Sequence, residues 1–168
     1  MIYRLPPPDD PLDQGDILDG CLLLELAKFD LEGTIPPATN YGFRRIIVLT
    51  QTCDLANAKA RTVTAAVVLD AQSLVDEQRL KPADIRGPVR AGRVWGWYLL
   101  PKNAELGLPE MIVDCRQLHT VRMDLLIALC RRGQRRARVQ PLYREHLAKF
   151  FADTYSRIGL PEPYETEP

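Results

Sequence analysis

RRIIVLTQT, at residues 44–52, is the stretch that decides the fold class of this chain. Its centre, Ile46 to Leu49, is apolar, mostly β-branched and continuous, as is typical of a strand covered on both faces. Further strands are predicted at residues 15–26, 62–70, 94–101 and 111–120. Because these segments are short and separated by turn residues, the sequence predicts a mainly β protein built on a small antiparallel barrel.

The end of the chain predicts an amphipathic helix at residues 141–158. Apolar residues recur there at helical spacing from Leu142 to Ile158, which would give the helix one face to pack on the barrel. Residues 73–93 are charged and lack strict alternation, so we predict a helical or loop insertion. The expected organisation is an extended N-terminal arm at 1–13, one barrel domain at 14–160 and a C-terminal tail at 161–168.

Composition limits the class of protein. The 168 residues are 46% hydrophobic and 26% charged, which is typical of a globular protein rather than a disordered one. No run approaches the ~18 apolar residues of a membrane span, and the first residues lack the features of a signal peptide. The four cysteines are widely spaced. We therefore expect a soluble cytoplasmic protein with reduced thiols and no membrane partner.

The net charge is zero, but the charges are unevenly distributed. Residues 1–32 carry two basic and eight acidic side chains, a balance of −6. Residues 79–138 carry thirteen basic and five acidic side chains, a balance of +8. The basic segment can attract phosphate or an acidic partner. Alternatively it is a solvated surface partly neutralised by the protein's own acidic N-terminus.

Three motifs occur in an order that is similar to that of a known family. They are Gln14-Gly15-Asp16-Ile17, the segment from Arg44 to Thr50, and the late strand from Met111 to Val121. A C-terminal helix follows them. In this order the chain resembles the MazF/PemK family of mRNA-interferase toxins. The resemblance implies an SH3-like barrel, RNA cleavage without a metal, an antitoxin partner and a homodimer.

Some positions depart from the family pattern. The chain has Arg45 where the family usually has Pro, and residues 33–43 contain no acid. Residues 68–71, Val-Leu-Asp-Ala, lack the Ser or Thr that the family places at its active site. Of the family's site residues, only the arginine carries over, onto Arg44.

Metal-independent RNA cleavage needs a base, an acid and a cation at the phosphate. Arg44 is the candidate cation, Asp54 the candidate base, and Thr50 and Thr52 are candidates for holding the phosphate. Strand alternation predicts that Arg44, Thr50 and Thr52 share one side, with Arg45 on the other. The alternative interpretation is a solvated strand start followed by a turn that Thr52 and Asp54 cap.

The predicted RNA-binding residues are basic or aromatic. They are Arg45, Trp95, Trp97, Arg131, Arg132, Arg135, Arg136 and Arg138. The arginines from 131 onward lie in a segment predicted to be a connection. The two tryptophans are predicted to share a strand face, where they stack bases or, in the commoner case, pack against the protein.

Metal and cofactor sites are not predicted. Cys115 and His119 are four residues apart on a predicted strand, roughly 13 Å, which is too far for one ion. Cys53 follows a buried strand and is interpreted as a core thiol.

Two functions remain open. The first is a toxin-like protein that either only binds single-stranded RNA or also cleaves it, as a metal-independent endoribonuclease that leaves a 2′,3′-cyclic phosphate. The second is an inactive barrel that binds a protein, as a regulatory subunit in a bacterial stress or phage-defence system. Convergence of Arg44, Thr50, Thr52 and Asp54 in an open groove would favour the enzyme. A groove filled by the insertion at 73–93 would favour the protein-binding module.

Overall fold

The computed structural model describes residues 1–28, 30, 32–34, 36, 38–57 and 61–156, and it is mainly β. One antiparallel sheet contains seven strands: β1 (Tyr3–Arg4), β2 (Asp16–Lys28), β3 (Ala38–Val48), β4 (Thr62–Asp70), β5 (Trp97–Leu100), β6 (Met111–Arg122) and β7 (Arg135–Val139). Their order across the sheet is β1-β7-β2-β3-β4-β6-β5. This confirms the predicted fold class.

The sheet curls so that its two edges approach each other. The hydroxyl of Tyr3, on edge strand β1, donates to the backbone oxygen of Pro101, one residue after edge strand β5, at 2.7 Å. One face of the strands lines the interior, where residues such as Ile17, Ile47 and Val113 are fully buried. The result is a small barrel-like body.

In the described part of the chain, five helices accompany the sheet: α1 (Thr52–Ala56), α2 (Ala71–Asp76), α3 (Pro82–Asp84), α4 (Met123–Arg131) and α5 (Tyr143–Tyr155). Helix α5 closes the interior, because Leu147 is buried in the interior cluster and Phe150 and Phe151 pack partly against it. This confirms the amphipathic helix, although the predicted residues 157 and 158 lie outside the described part of the chain.

The outer face of the sheet is covered in two places. Helices α1 and α4 bury Leu55, Leu126 and Leu129 against the outward side chains of β2, β3 and β4. The insertion at 73–93 forms part of α2, then α3 and a π-helical turn at Ile85–Val89, and it packs against Trp97 and β6. The predicted insertion therefore exists and forms a separate cover on the barrel.

Most predicted strands occur, but two predictions at the segment level are wrong. The strand expected at 44–52 is displaced: β3 already begins at Ala38 and ends at Val48 rather than 52. The basic segment expected to be a connection contains strand β7. Strand β1 lies within the predicted arm and pairs with β7, so the arm contributes to the sheet. The predicted tail at 161–168 lies outside the described residues.

Strand β7 is held to β2 by a buried ion pair and to the N-terminal arm by hydrogen bonds. Arg138 donates to both carboxylate oxygens of Asp16, at 2.6 and 2.9 Å, and Asp16 is fully buried. Arg135 donates to the backbone oxygens of Pro7 and Asp10 at 3.2 and 2.8 Å. The acidic N-terminus therefore neutralises part of the basic segment from within the fold.

Candidate functional site

A polar cavity of about 420 Å³ lies on the outer side of the β2–β3 hairpin, beside β6. Its lining consists of Leu23, Glu25, Thr39, Asn40, Tyr41, Gly42, Arg44, Val67 and Gln117. We call it the Arg44 cavity, because Arg44 supplies the positive charge among the described residues that line it. The cavity combines one cation, one carboxylate and several uncharged hydrogen-bonding groups.

Arg44 reaches the cavity because of its register on β3. It lies opposite Cys21, and its outward face also carries Gly42 and Ile46. Its guanidinium group lies over Gly42, since a Cβ atom placed at that glycine would be 3.5 Å from the Arg44 Cζ atom. Within the described residues, Arg44 forms no ion pair, so its charge remains available to a ligand.

Gln117 reaches the cavity from an irregularity in β6. The β4–β6 register moves from Ala66 opposite Leu118 to Val67 opposite Asp114, so residues 115–117 have no partner on β4. Such bulges bend a strand and change the direction of its side chains. Here the bulge brings the Gln117 side chain to the cavity wall.

Asp114 stabilises this bulge. Its carboxylate accepts hydrogen bonds from Arg116 Nε at 2.7 Å, Arg116 Nη2 at 2.8 Å and Gln117 Nε2 at 2.9 Å. Burial alone would raise the pKa of the Asp114 carboxyl, but these hydrogen bonds outweigh burial and lower the pKa to about 2. Asp114 is therefore ionised at neutral pH and fixes the position of Gln117.

Contacts from two other elements further restrain the bulge. The Arg116 guanidinium lies 4.6 Å from the centre of the Trp97 ring, within cation–π range. The Arg116 side chain also fills the space that a Cβ at Gly96 would occupy, at 2.5 Å, and Gly96 has a φ of +74°. From α5, the Tyr155 hydroxyl donates to the Cys115 backbone oxygen at 2.6 Å. The wall carrying Gln117 is consequently well braced.

The predicted catalytic residues do not meet in one cavity. Arg44 lines the cavity described above, whereas Thr52 lines two other cavities and not this one. The strand from Arg44 to Val48 alone spans about 13 Å, and α1 follows its end. The expectation that Thr50 and Thr52 continue the strand alternation of Arg44 is wrong, because β3 ends at Val48. The insertion at 73–93 contributes no residue to the Arg44 cavity.

The segment around α1 has a structural role in the fold. The Thr50 hydroxyl oxygen accepts a hydrogen bond from the Thr64 backbone N–H at 2.8 Å, which joins the end of β3 to β4. Gln51 is the N-cap residue, so the expected cap at Asp54 is wrong, and Asp54 lies inside α1. Cys53 is exposed, which also contradicts its interpretation as a core thiol.

Three of the predicted RNA-binding residues are buried and already contact other parts of the protein: Arg135, Arg138 and Trp97. Arg135 and Arg138 are each 5% exposed and are bonded to the N-terminal arm, so they cannot form a basic surface. Trp97 is buried beneath Arg116, so its ring is not available for base stacking. Trp95 lies before β5 begins, and its indole N–H donates to the Thr154 backbone oxygen at 3.2 Å.

The remaining predicted arginines differ in their availability. Arg45 lies on the inward face with Ile47, as predicted, and donates to Asp19 at 2.5 and 3.1 Å. Arg136 lies 3.7 Å from the same carboxylate. Arg131 and Arg132 are exposed at the end of α4. None of the four lines the Arg44 cavity, so their contact with RNA stays a prediction.

Metal-binding groups, membrane-spanning helices and similarity to known proteins add little to the assignment of a function. The described residues contain no group of three or more His, Cys, Asp or Glu side chains placed to hold a metal. Among the same residues, none of the helices has the length and apolar character needed to cross a membrane. No protein-family model matches the chain, and no curated protein matches it either. The resemblance to the MazF/PemK family therefore remains a prediction.

Asp114, Gln117 and Asn40 are not among the site residues predicted from the sequence. A usable signal was present for Asp114, which sits between Val113 and Cys115 in a stretch of buried strand. A buried carboxylate requires hydrogen-bond donors, and Arg116 and Gln117 follow immediately. No comparable pattern marks Asn40, since its role depends on the extension of β3 beyond the barrel.

Proposed function

We propose that the protein binds single-stranded RNA at the Arg44 cavity. This proposal rests on the guanidinium group of Arg44. The group lines a polar cavity and has no ion-pair partner among the described residues. A guanidinium group matches a phosphate in a two-pronged geometry. The cavity volume, about 420 Å³, falls within the range of small-ligand sites and suits one nucleotide unit.

The other groups in the cavity suit the base and the ribose. Asn40 and Gln117 carry amides that both donate and accept hydrogen bonds, and the Thr39 hydroxyl does the same. The Glu25 carboxylate can accept from an exocyclic amino group of a base. Unpaired bases in single-stranded RNA expose these edges, whereas a duplex hides most of them. The proposal is therefore limited to single strands.

RNA cleavage is a separate question from RNA binding. A cleavage site needs a base and an acid within hydrogen-bonding reach of the same phosphate as the cation. Thr50, Thr52 and Asp54 were the expected partners of Arg44, and none of them lines its cavity. The toxin-like function is therefore proposed as RNA binding, and RNA cleavage stays a prediction.

Fluorescence anisotropy with a labelled mixed-sequence RNA oligonucleotide tests the proposal. We expect Arg44→Ala to weaken binding about ten- to a hundredfold, because a hydrogen-bonded charge contact is lost. The salt dependence should also fall, by about 0.7 in the slope of log affinity against log salt for each phosphate contact removed. Arg79→Ala is the matched control, because Arg79 is an exposed arginine in the insertion at 73–93 and does not line the cavity.

The competing function is the inactive barrel that binds a protein as a regulatory subunit in a stress or phage-defence system. An exposed apolar face on the β2–β3 hairpin favours it, since such faces commonly mark protein interfaces. If the wild type fails to bind RNA, or if Arg79→Ala weakens binding as much as Arg44→Ala, this second function takes precedence. Growth arrest on expression in bacteria, with RNA ending in 2′,3′-cyclic phosphate, would instead indicate an enzyme.

A further inference from the structure

A second cavity, of about 590 Å³, lies at the seam where the two edges of the sheet approach each other. Ile2, one residue before β1, lines it from one edge, and Leu100, the last residue of β5, lines it from the other. Helix α5 contributes Tyr143 and His146. We call it the seam cavity. It shares no lining residue with the Arg44 cavity, so the two are separate sites.

One wall of the seam cavity is aromatic and is held in place by its neighbours. The Tyr98 hydroxyl and His146 Nδ1 share a hydrogen bond at 3.0 Å, and the centres of the two rings lie 5.5 Å apart. The centre of the Tyr98 ring also lies 5.4 Å from that of Phe150. Aromatic rings pack favourably on one another in offset or edge-on contacts at such distances. Because the wall is already ordered, it can accept the ring of a ligand at a low cost in entropy.

The rim of the cavity carries an apolar side chain on a strained backbone. Leu142 lines the cavity, is 82% exposed and has a φ of +73°, in the left-handed region that leucine rarely adopts. Residues in such conformations are concentrated at ligand-binding and active sites. A ligand in the cavity covers this exposed leucine and removes apolar surface from water.

Two side chains of opposite charge line the cavity without a partner. Arg90 follows the π-helical turn of the insertion at 73–93, and its backbone N–H donates to the Ile85 backbone oxygen at 3.1 Å. Glu110 precedes β6, and its backbone oxygen accepts from the Ala71 N–H at 3.0 Å. Among the described residues, neither Arg90 nor Glu110 forms an ion pair with the other or with a third residue. The backbone of each is therefore fixed, whereas both charges are available to a ligand.

We propose that the seam cavity binds an aromatic amino acid in its zwitterionic form. The ring of the ligand packs on Tyr98 and Tyr143, Arg90 binds the carboxylate in a two-pronged geometry, and the Glu110 carboxylate accepts hydrogen bonds from the ammonium group. A ligand with a single charge leaves one of the two side chains without a partner, so charge complementarity favours a zwitterion. The volume of about 590 Å³ falls within the range of small-molecule sites. The proposal does not depend on RNA binding.

Isothermal titration calorimetry of the full chain with L-phenylalanine and with L-tryptophan tests this proposal. We expect the wild type to bind one molecule of amino acid per chain in a saturable manner. Arg90→Ala and Glu110→Gln should each weaken binding about tenfold or more, because each removes a charged hydrogen-bonding partner. Arg86→Ala is the matched control and should leave the affinity unchanged, because Arg86 is exposed in the same π-helical turn but does not line the seam cavity.

Two analogues that each lack one charged group test the two side chains separately. Phenethylamine has no carboxylate, so Arg90→Ala should not weaken its binding further. Hydrocinnamate has no amine, so Glu110→Gln should not weaken its binding further. A purely structural role of either side chain would instead weaken the binding of every ligand alike. Circular dichroism spectra of all variants should match that of the wild type.

Three outcomes would overturn the proposal. The first is a wild type that gives no saturable heat with either amino acid at millimolar concentration. The second is an Arg86→Ala variant that binds as weakly as Arg90→Ala, and the third is a pair of analogues that bind the wild type as tightly as L-phenylalanine does. None of the three substituted residues lines the Arg44 cavity, so RNA affinity can be measured on the same variants as an independent quantity.

Discussion

Strands β7 and β3 both carry arginines that were predicted from the sequence to contact RNA. The arginine on β7 is buried and paired, whereas the one on β3 lines an open cavity. On β7, Arg138 is 5% exposed and bonded to Asp10, Pro11 and Asp16 of the N-terminal segment. On β3, Arg44 lines an open polar cavity and forms no ion pair with the described residues. The same side chain thus serves the fold in one strand and is available to a ligand in the other.

The difference arises from what lies on the neighbouring strand. Asp16 on β2 is directly opposite Arg138, so the pairing of the strands brings two opposite charges together inside the protein. The residue opposite Arg44 is Cys21, whose thiol is buried and offers no charge. A count of basic residues along a sequence therefore overestimates the positive surface, because the partners across the sheet decide how much charge remains free.

The largest effect is expected when the buried pair on β7 is broken. Arg138→Ala should lower the free energy of unfolding by about 3–5 kcal/mol, because it leaves the fully buried Asp16 carboxylate without its main partner. Urea unfolding at neutral pH measures this change. Arg44→Ala is the control, with an expected change within about 0.5 kcal/mol, since it removes no ion pair. Equal effects of the two substitutions would contradict the contrast between the strands.

The sequence predicted the barrel because its central strands carry strong local signals. The run from Ile46 to Leu49 and the strand at 62–70, which is rich in valine, need no tertiary information to be recognised. Strand β7 was missed for a physical reason: its sequence, RRARV, is charged, and charged residues are compatible with a buried strand only when their partners are known. Those partners lie more than 120 residues earlier, at Asp16 and the N-terminal arm.

The candidate site was predictable only in part. Arg44 was identified, because it matches a short motif and lies on the predicted face. Gln117 and Asn40 were not identified, because the first depends on a bulge in β6 and the second on the length of the β3 extension. The bulge is settled by pairing between strands distant in sequence, and the extension by the register of a long hairpin; local patterns report neither.

A third arginine, Arg116, should affect the free energy of unfolding in a way that depends on pH. Its hydrogen bonds help to hold the Asp114 pKa at about 2 against burial. The pKa of an unfolded aspartate is about 3.9, so this lowered pKa contributes stability that is present above about pH 4 and is lost as the pH falls towards 2. This difference in pKa corresponds to about 2–3 kcal/mol of stability at neutral pH. Arg116→Ala should reduce this part of the acid destabilisation, as measured by urea unfolding between pH 2 and about 5.

The control for this prediction is a similar ion pair at the surface. Arg122 contacts Asp124, also two residues away, but both side chains are more than half exposed. Arg122→Ala should leave the pH profile close to that of the wild type, because surface pairs are largely solvated. If both variants change the profile equally, the buried setting of Asp114 is not the cause of the pH dependence.

The smallest effect is expected on the same strand as the largest. Arg136 is two residues from Arg138, yet its Nε atom lies 3.7 Å from Asp19 and its side chain is 41% exposed. The β2–β7 register shifts beside it, from Ile17 opposite Ala137 to Leu18 opposite Arg135, so Arg136 has no partner on β2. Arg136→Ala should therefore cost less than about 1 kcal/mol of unfolding free energy. Asp19 keeps Arg45 as its closer partner, so no buried charge is left alone.

Urea unfolding in low salt and in 1 M NaCl tests this expectation for Arg136→Ala. The small loss of unfolding free energy should disappear in high salt, because solvent-exposed pairs are screened there. A loss near that of Arg138→Ala, or one that high salt does not reduce, would mean that β7 is stabilised along its whole length by its charges rather than at the Asp16 contact.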